Sequence, residues 1–469
     1  MKIAALNKRF LGFQALIVAG ILIAMLWLNL SLTFFAKILI GLALFLFLLR
    51  NIELGLVILI ASYFLQQGLF GEEFSLMKAL GIIFFLIFIA QQSLKSRSLR
   101  LGNIFLLLFL FFIAMVFSLH NAIDLELSAY YMKKFSMDVA LYLLIVNVAL
   151  IKSTPKKVAV GIIAVGVINI IIGVYFFTII GWTGRALSIV GNPNAFGQVS
   201  ALVVFLVLPF LIYRQRFAVN HGISIAILIL GSIGLSISGS RGALVAFIIT
   251  MMIFFLLEQF YFKQRRVGRY ILIGVLISIA ALVVMPEDIG KRHWEIPQKF
   301  RGFYSTDFED IDRGRAYLTQ QALDTWRENP VSGGGIGNFP RYVLLGSWYL
   351  ESWFQEHVIA HNMYLQLLAE TGLIGFIIFV WAIILSLHNF LKAMRLYHRI
   401  LDIQGYVLSE AFLLSALFLY TAMAGSGNLI REPIYIMFGL SVAAVAIAER
   451  QSKGQFYYET RFRFKENQK

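Results

Sequence analysis

Long apolar segments separated by short polar loops make up most of this chain. A helix of about 20 mostly apolar residues can cross the roughly 30 Å hydrocarbon layer of a membrane, because it satisfies its own backbone hydrogen bonds there. The pattern therefore predicts an all-α polytopic membrane protein with about 12–14 transmembrane helices. The predicted ranges are 11–29, 32–49, 54–68, 77–90, 102–118, 134–151, 158–180, 195–213, 222–237, 242–261, 270–285, 366–387, 406–423 and 432–449.

Composition agrees with a membrane protein and excludes other classes. Hydrophobic residues make up 59% of the 469 residues and charged residues 14%, and the mean hydropathy is +0.81. The absence of cysteine excludes disulfides, thiolate chemistry and Cys-ligated metals. The formal net charge is +15, but the basic residues are spread over separate short loops. That distribution is typical of a topology signal, so we expect no nucleic-acid partner.

One long interruption of the hydrophobic pattern runs from about residue 285 to residue 365. If the N-terminus is cytoplasmic, alternate short loops carry most of the Lys and Arg, and this interruption falls on the extracytoplasmic side. Residues 286–360 contain eight Lys and Arg against eleven Asp and Glu, a net formal charge of −3. Lys133 and Lys134 fall on the wrong side of this scheme.

The same pattern divides the chain into five segments. They are N-terminal transmembrane helices (1–151), a transmembrane core with short outer loops (152–285), an extracytoplasmic catalytic loop (286–365), C-terminal transmembrane helices (366–449) and a cytoplasmic tail (450–469). No convincing internal repeat or matched pair of broken helices, as expected of many transporters, is present.

Two short outer loops carry arginines that are candidates for anion binding. Arg185 precedes the turn-forming sequence 191–194, which ends in Asn194; it is either an incidental arginine in a tight turn or a ligand in a shared outer cavity. Arg241 follows Ser-Gly-Ser between two spans. It could snorkel at the interface, but its position on the outer side, against the charge bias, favours function.

The long loop carries a second pair of arginines. Arg313 and Arg315 stand at or before the first turn of a helical pattern that Asn329-Pro330 ends. Helix N-termini attract anions, and guanidinium groups match phosphate oxygens in a bidentate way. The alternative interpretation is a surface ion pair with Asp310 or Asp312.

Glycines recur at residues 333–337, including Gly335 and Gly337. The composition resembles a phosphate-binding loop, but the strand before it and the Lys-Ser/Thr after it are missing. We therefore expect a tight backbone path that brings the loop and the membrane helices together.

His361 is the candidate general base, because the pKa range of histidine suits proton abstraction near neutral pH. Asn362 and Glu370 could orient it or cap the following helix. His357 lies four residues earlier, but a pair of histidines without a further obvious ligand is a weak zinc signal, so we expect no metal.

Taken in order, these motifs resemble the O-antigen ligase / O-antigen polymerase family. The resemblance covers about residues 185–375, and its parts are specific only together. They are Gly191-Asn-Pro-Asn194, Ser238-Gly-Ser-Arg241-Gly-Ala, Gly314-Arg315 with Ala322-Leu323 and Asn329-Pro330, Gly333-x-Gly335-x-Gly337-Asn-Phe, His361-Asn362-x-x-Leu365 and Glu370-x-Gly372-x-x-Gly375.

The resemblance implies a GT-C-like, metal-independent, inverting glycosyltransferase without a cofactor, in the bacterial cytoplasmic membrane with its site facing outward. The donor would be a glycan on undecaprenyl diphosphate, and the acceptor a hydroxyl of lipid A–core or another envelope molecule. By motif, Arg241 and Arg315 would bind the diphosphate and His361 would be the base. Arg185 matches less closely, and Arg313 is an additional basic residue beside Arg315.

Two sets of alternatives stay open from the sequence. Within the family, an O-antigen ligase, an O-antigen or exopolysaccharide polymerase and a protein O-oligosaccharyltransferase share these motifs. From another class, a flippase for the same lipid-linked glycan, or another transporter, would have a similar number of spans. The gathering of polar candidates in outer loops, and the lack of clear charges in the middle of spans, favours the enzyme.

Overall fold

In the computed structural model, the residues described are 51–63, 76–94, 98–150, 153–179, 185–186, 188, 191–215, 220–257, 312–345, 359–425 and 432–466. Their regular elements are all helical, and these ranges contain no β-strand. The chain divides into two compact units, Met1–Gly55 and Leu56–Lys469. All of the candidate site residues lie in the second unit.

The α-helices are named here in chain order. They are α1 (Ile52–Tyr63), α2 (Leu76–Leu94), α3 (Phe105–Ser118), α4 (Leu125–Val148), α5 (Thr154–Thr178), α6 (Pro193–Ile212), α7 (His221–Ile237), α8 (Arg241–Leu256), α9 (Asp312–Glu328), α10 (Phe339–Leu345), α11 (Met363–Arg399), α12 (Ile403–Ala422) and α13 (Glu432–Glu466). Short 3₁₀ turns follow α3 (Leu119–Asn121) and α12 (Met423–Gly425).

Several of these helices are long and apolar enough to cross a membrane. Within the described residues there are five, namely Thr154–Thr178, Pro193–Ile212, Met363–Arg399, Ile403–Gly425 and Glu432–Gly454. Shorter apolar helices occur at Ile52–Ala61, Phe105–Asn121, His221–Ile237 and Arg241–Leu256. The prediction of an all-α polytopic membrane protein is thus confirmed. The predicted spans 11–29, 32–49 and 270–285 lie outside the described residues.

Helix α4 corrects one detail of the sequence interpretation. It begins at Leu125 and not near residue 134, because Asp124 caps it by accepting a hydrogen bond from the Leu127 N–H at 2.9 Å. Hydropathy missed this start because the first turns of α4 carry polar side chains. Lys133 and Lys134 therefore lie inside a helix and do not belong to a loop.

Helix α6 forms the core of one half of the bundle, where it contacts α5, α7, α8 and α12. Phe205 packs between Phe247 of α8 and Phe418 of α12, with ring centroids 5.0 and 5.4 Å away. Gly234 of α7 packs so closely on α6 that an added Cβ would lie 2.6 Å from the Ser200 Oγ. Small residues commonly allow membrane helices to approach this closely.

Helix α11 organises the other half, where it contacts α3, α12 and α13. Phe379 lies 5.3 Å from the Phe111 ring of α3 and 6.1 Å from the Phe438 ring of α13. Both halves place several turns at one end of the bundle, where α4, α6, α8 and α11 begin and α12 ends. We call it the loop end; it is the end to which segment 329–345 is bound.

Candidate functional site

Arg185 is tied to the beginnings of α6 and α8 at the loop end. Its Nε donates to the Ser238 carbonyl at 3.0 Å, and its Nη2 donates to the Asn194 Oδ1 at 2.7 Å. The Ser240 hydroxyl donates to the same Asn194 oxygen at 3.0 Å. The guanidinium is thus a built part of the junction between two helices, and Asn194 is the residue that joins them.

The turn before α8 has the shape that this arrangement requires. Gly239 adopts φ +57°, and an added Cβ there would lie 3.2 Å from the Arg185 Cγ. Ser240 caps α8 by accepting a hydrogen bond from the Ala243 N–H at 3.4 Å. Arg241 is therefore the first residue of α8, and its side chain is partly buried. The positive end of the helix dipole thus lies beside this cation.

His361 stands immediately before α11 in an unusual backbone conformation. Its φ is +50°, a left-handed value that is uncommon for residues other than glycine. Asn362 caps the helix by accepting hydrogen bonds from the N–H groups of Tyr364 and Leu365, at 3.0 and 3.2 Å. Of the two roles predicted for Asn362, the structure thus shows the capping role.

The beginnings of α8 and α11 meet at the same short turn. A Cβ added to Gly242 would lie 3.7 Å from the Gly425 Cα. The Tyr364 hydroxyl donates to the Tyr420 carbonyl in the last turn of α12 at 2.7 Å. Both helices contact Met423–Gly425. The structure therefore brings the segments that carry Arg185, Arg241 and His361 to one region of the loop end.

Helix α9 approaches the same region from the long loop. Its buried Ala322 belongs to a cluster with Phe339, Val343, Ala360 and Ala369, so α9 packs beside the residue that precedes His361. Arg313 and Arg315 lie in the first turn of α9, as the sequence predicts, and their side chains lie outside the described part of the structure. Whether these side chains reach the site stays a prediction.

The glycine-rich segment uses its own N–H groups to bind protein and not an anion. The N–H groups of Gly334 and Gly335 donate to the carbonyls of Ala369 and Glu370, at 2.8 and 3.0 Å. The Ile336 N–H donates to the Ser118 hydroxyl at 3.0 Å, and the Gly337 N–H to the Glu370 carboxylate at 2.9 Å. A phosphate-binding loop needs such groups for its ligand, so the segment is a structural connection.

Two glycines explain why this connection needs glycine. Gly335 adopts φ +99° and Gly337 φ +75°. A Cβ at Gly335 would lie 2.7 Å from the Ala122 Cβ, and one at Gly337 would overlap the Tyr131 ring. The segment thus packs its backbone directly against the turn between α3 and α4 and against the start of α4.

A buried amide and an ion pair complete this connection. Asn338 is fully buried; its Oδ1 accepts from the Asp124 N–H at 2.6 Å, and its Nδ2 donates to the Ser128 hydroxyl at 2.7 Å. Arg341 pairs with Asp124 at 2.7 Å. The hydrogen bond from Leu127 N–H, followed by that from Arg341, holds the pKa of Asp124 below its ordinary value. Sequence reasoning missed Asp124 and Arg341 in this role, since they lie 217 residues apart.

Glu370 is almost completely buried in α11 and accepts hydrogen bonds on both carboxylate oxygens. Oε2 accepts from the Gly337 N–H at 2.9 Å, and Oε1 accepts from the Gln366 Nε2 at 3.0 Å. Gln366 in turn accepts a hydrogen bond from the Ala360 N–H at 3.4 Å. Glu370 therefore reaches the segment of His361 through Gln366, a residue that the sequence did not single out.

A family model matches part of this chain. Residues 226–380 match the family model described as O-antigen ligase, which confirms the resemblance predicted from the motifs. The match includes most of α7, α8 to α10, the glycine-rich segment and the first half of α11, and so Arg241, Arg315 and His361. Arg185 lies outside it. No curated protein sequence matches the chain.

Proposed function

We propose that this protein is a membrane glycosyltransferase that moves a glycan from undecaprenyl diphosphate to an acceptor hydroxyl, as an O-antigen ligase does. The family match supports a membrane glycan-transfer role in envelope polysaccharide synthesis. The observation that carries the finer proposal is the meeting of the Arg185 junction, the start of α8 and the start of α11 around Met423–Gly425.

The arginines of this region would bind the diphosphate. Arg185 is held by Ser238 and Asn194, so little side-chain freedom would be lost when an anion binds. Arg241 adds a second cation at the beginning of α8. Arg315, with Arg313 beside it, would come from the first turn of α9. Fixed positive groups of this kind stabilise negative charge that grows on a leaving group in the transition state.

His361 would act as the general base. It would take the proton of the acceptor hydroxyl as that oxygen attacks the anomeric carbon of the donor sugar. The bond from this carbon to the diphosphate oxygen would break, and its electron pair would leave with the diphosphate, where the arginines balance it. A single displacement of this kind inverts the anomeric configuration and needs neither a metal nor a nucleotide sugar.

The membrane placement of the reaction follows from the same proposal. The loop end would face the outside of the bacterial cytoplasmic membrane, the periplasm where an outer membrane exists, with the lipid carrier held among the surrounding membrane lipids. The acceptor would be lipid A–core or another envelope molecule. A polymerase or a protein O-oligosaccharyltransferase of the same family would use the same residues with a different acceptor.

Purified protein in lipid nanodiscs, supplied with a glycan on undecaprenyl diphosphate and an envelope acceptor extract, tests the proposal. We expect the wild type to form a glycosidic product and His361→Ala to lose at least about 100-fold in rate, since general-base catalysis contributes about 10²–10⁴-fold. The matched control is His388→Ala, an exposed histidine farther along α11, which should keep wild-type activity. Full activity in His361→Ala, with the protein correctly inserted, would exclude this mechanism.

A further inference from the structure

We propose that Gln366 and Glu370 are positioning residues that fix the backbone at Ala360 and thereby hold His361 in place for proton transfer. The inference rests on the proposed role of His361. It assigns no contact with substrate to either residue. Instead, the two side chains link the glycine-rich segment to Ala360, the residue before His361. We call this chain of hydrogen bonds the relay.

The relay is a continuous series of hydrogen bonds in a buried region. The Gly337 N–H donates to Glu370 Oε2 at 2.9 Å, the Gln366 Nε2 donates to Glu370 Oε1 at 3.0 Å, and the Ala360 N–H donates to Gln366 Oε1 at 3.4 Å. Glu370 is 1% exposed, and Gln366 and Ala360 are 2% exposed each. Water competes poorly for hydrogen bonds in such a place, so the three bonds restrain their partners, the longer Ala360 bond the least.

The backbone at His361 needs this constraint. A left-handed φ of +50° costs a residue other than glycine of order 1–3 kcal/mol and persists only where the surroundings enforce it. Asn362 fixes the chain on one side of His361 by capping α11. Gln366 fixes it on the other side through the Ala360 N–H. Because the backbone is held on both sides of His361, the imidazole is attached at a fixed position.

The order of donors and acceptors along the relay makes it testable. Glu370 accepts from both of its neighbours, and this forces the Gln366 amide to present its NH₂ to Glu370 and its oxygen to Ala360. In Glu370→Gln, the new amide can accept from only one neighbour. If it keeps Gly337, Gln366 must turn its amide around, and its NH₂ then faces the Ala360 N–H.

Exchanging the two residues restores every pairing. In the double variant Glu370→Gln/Gln366→Glu, the amide at 370 accepts from Gly337 and donates to the carboxylate at 366, which still accepts from Ala360. The number of buried carboxylates is unchanged. A residue needed only for its shape or charge at position 370 would not be rescued in this way.

The experiment measures kcat and the donor KM of full-length protein in nanodiscs. We expect Glu370→Gln and Gln366→Met each to lower kcat at least about tenfold, because a misplaced base slows the chemical step, with the donor KM within about twofold of wild type because the arginines are untouched. The double variant should recover most of the lost kcat. Gln366→Met supplies a second test if Glu370→Gln does not insert.

A matched control separates positioning from general damage. Asn389 is a buried amide that forms a reciprocal pair with Asn103, about 25 Å along α11 beyond the interruption at Gly372 at 1.5 Å per residue. Asn389→Leu should lower the melting temperature and leave kcat unchanged. Wild-type kcat in Glu370→Gln, or a folded double variant no faster than that single variant, overturns the relay alone. An inactive wild type would instead overturn the proposed function.

Discussion

Single polar side chains at the loop end each connect segments that are far apart in the sequence. Asn338 joins the long loop to Asp124 and Ser128 of α4, and Asn194 joins Arg185 to Ser240. A buried amide such as that of Asn338 costs free energy unless both of its ends are satisfied. Both side chains fix one arrangement of the loops, which the proposed arginine site requires.

The Asp124–Arg341 pair gives a prediction at this scale. Asp124→Asn keeps a good helix cap but removes the ion pair, so we expect a melting temperature about 1–3 °C below wild type at pH 7. The pKa of Asp124 is lowered in the folded protein, so its stabilisation is present above the unfolded pKa of about 3.9 and is lost as the pH falls below it.

Thermal unfolding in detergent from pH 7 to pH 3.5 measures this effect. The difference between wild type and Asp124→Asn should close only below about pH 4. Asp124→Ala, which also removes the cap on Leu127, should be less stable than Asp124→Asn at pH 7. A difference that stays constant over the whole range would show that the ion pair contributes nothing.

At the scale of elements, the glycine-rich segment and the start of α11 form one unit. Gly334 and Gly335 bind the carbonyls of Ala369 and Glu370, and the Leu373 N–H binds the Pro330 carbonyl at 2.9 Å. Helix α11 is interrupted there, since Gly372 has φ +63°. The interruption frees helix carbonyls that the loop then satisfies, so the kink and the loop require each other.

Gly335→Ala tests this unit. The added Cβ would meet Ala122 at 2.7 Å, in a backbone conformation that disfavours a side chain, so we expect a loss of about 1–3 kcal/mol in unfolding free energy and lower transfer activity. The control is Gly454→Ala in α13, where an added Cβ meets nothing within 4 Å and helix propensity favours alanine. Equal stability of the two variants would contradict the close packing.

Sequence reasoning succeeded where the information is local. The predicted spans 102–118 and 222–237 agree within a few residues with α3 and α7, because the apolar length sets both helices and Asn220 caps the start of α7. It also placed His361 directly before a helix. Sequence reasoning could not find the relay, since Glu370 and Gly337 lie 33 residues apart. Neither local sequence pattern indicates that they are in contact. Tertiary packing alone creates that contact.

For the whole molecule, the sequence predicts a direction across the membrane. The basic residues at the end of α11, such as Arg395 and Arg399, lie at the opposite end of the bundle from His361. The positive-inside tendency therefore predicts that the loop end faces the outside of the cell. This direction matters for the proposed reaction, because donor and acceptor must both be reachable from the side on which the base and the arginines lie.

The absence of cysteine allows a direct test of this direction, because the wild type is a blank for thiol labelling. Val331, two residues before the glycine-rich segment, is 60% exposed, and Ile403 is 52% exposed where α12 begins at the opposite end. In right-side-out membrane vesicles, a membrane-impermeant maleimide should label Val331→Cys at once and Ile403→Cys only after permeabilisation. Both variants should retain transfer activity, since neither side chain belongs to the site. The reverse labelling pattern would place the loop end in the cytoplasm, and the outward-facing reaction would then be wrong even if His361 were essential.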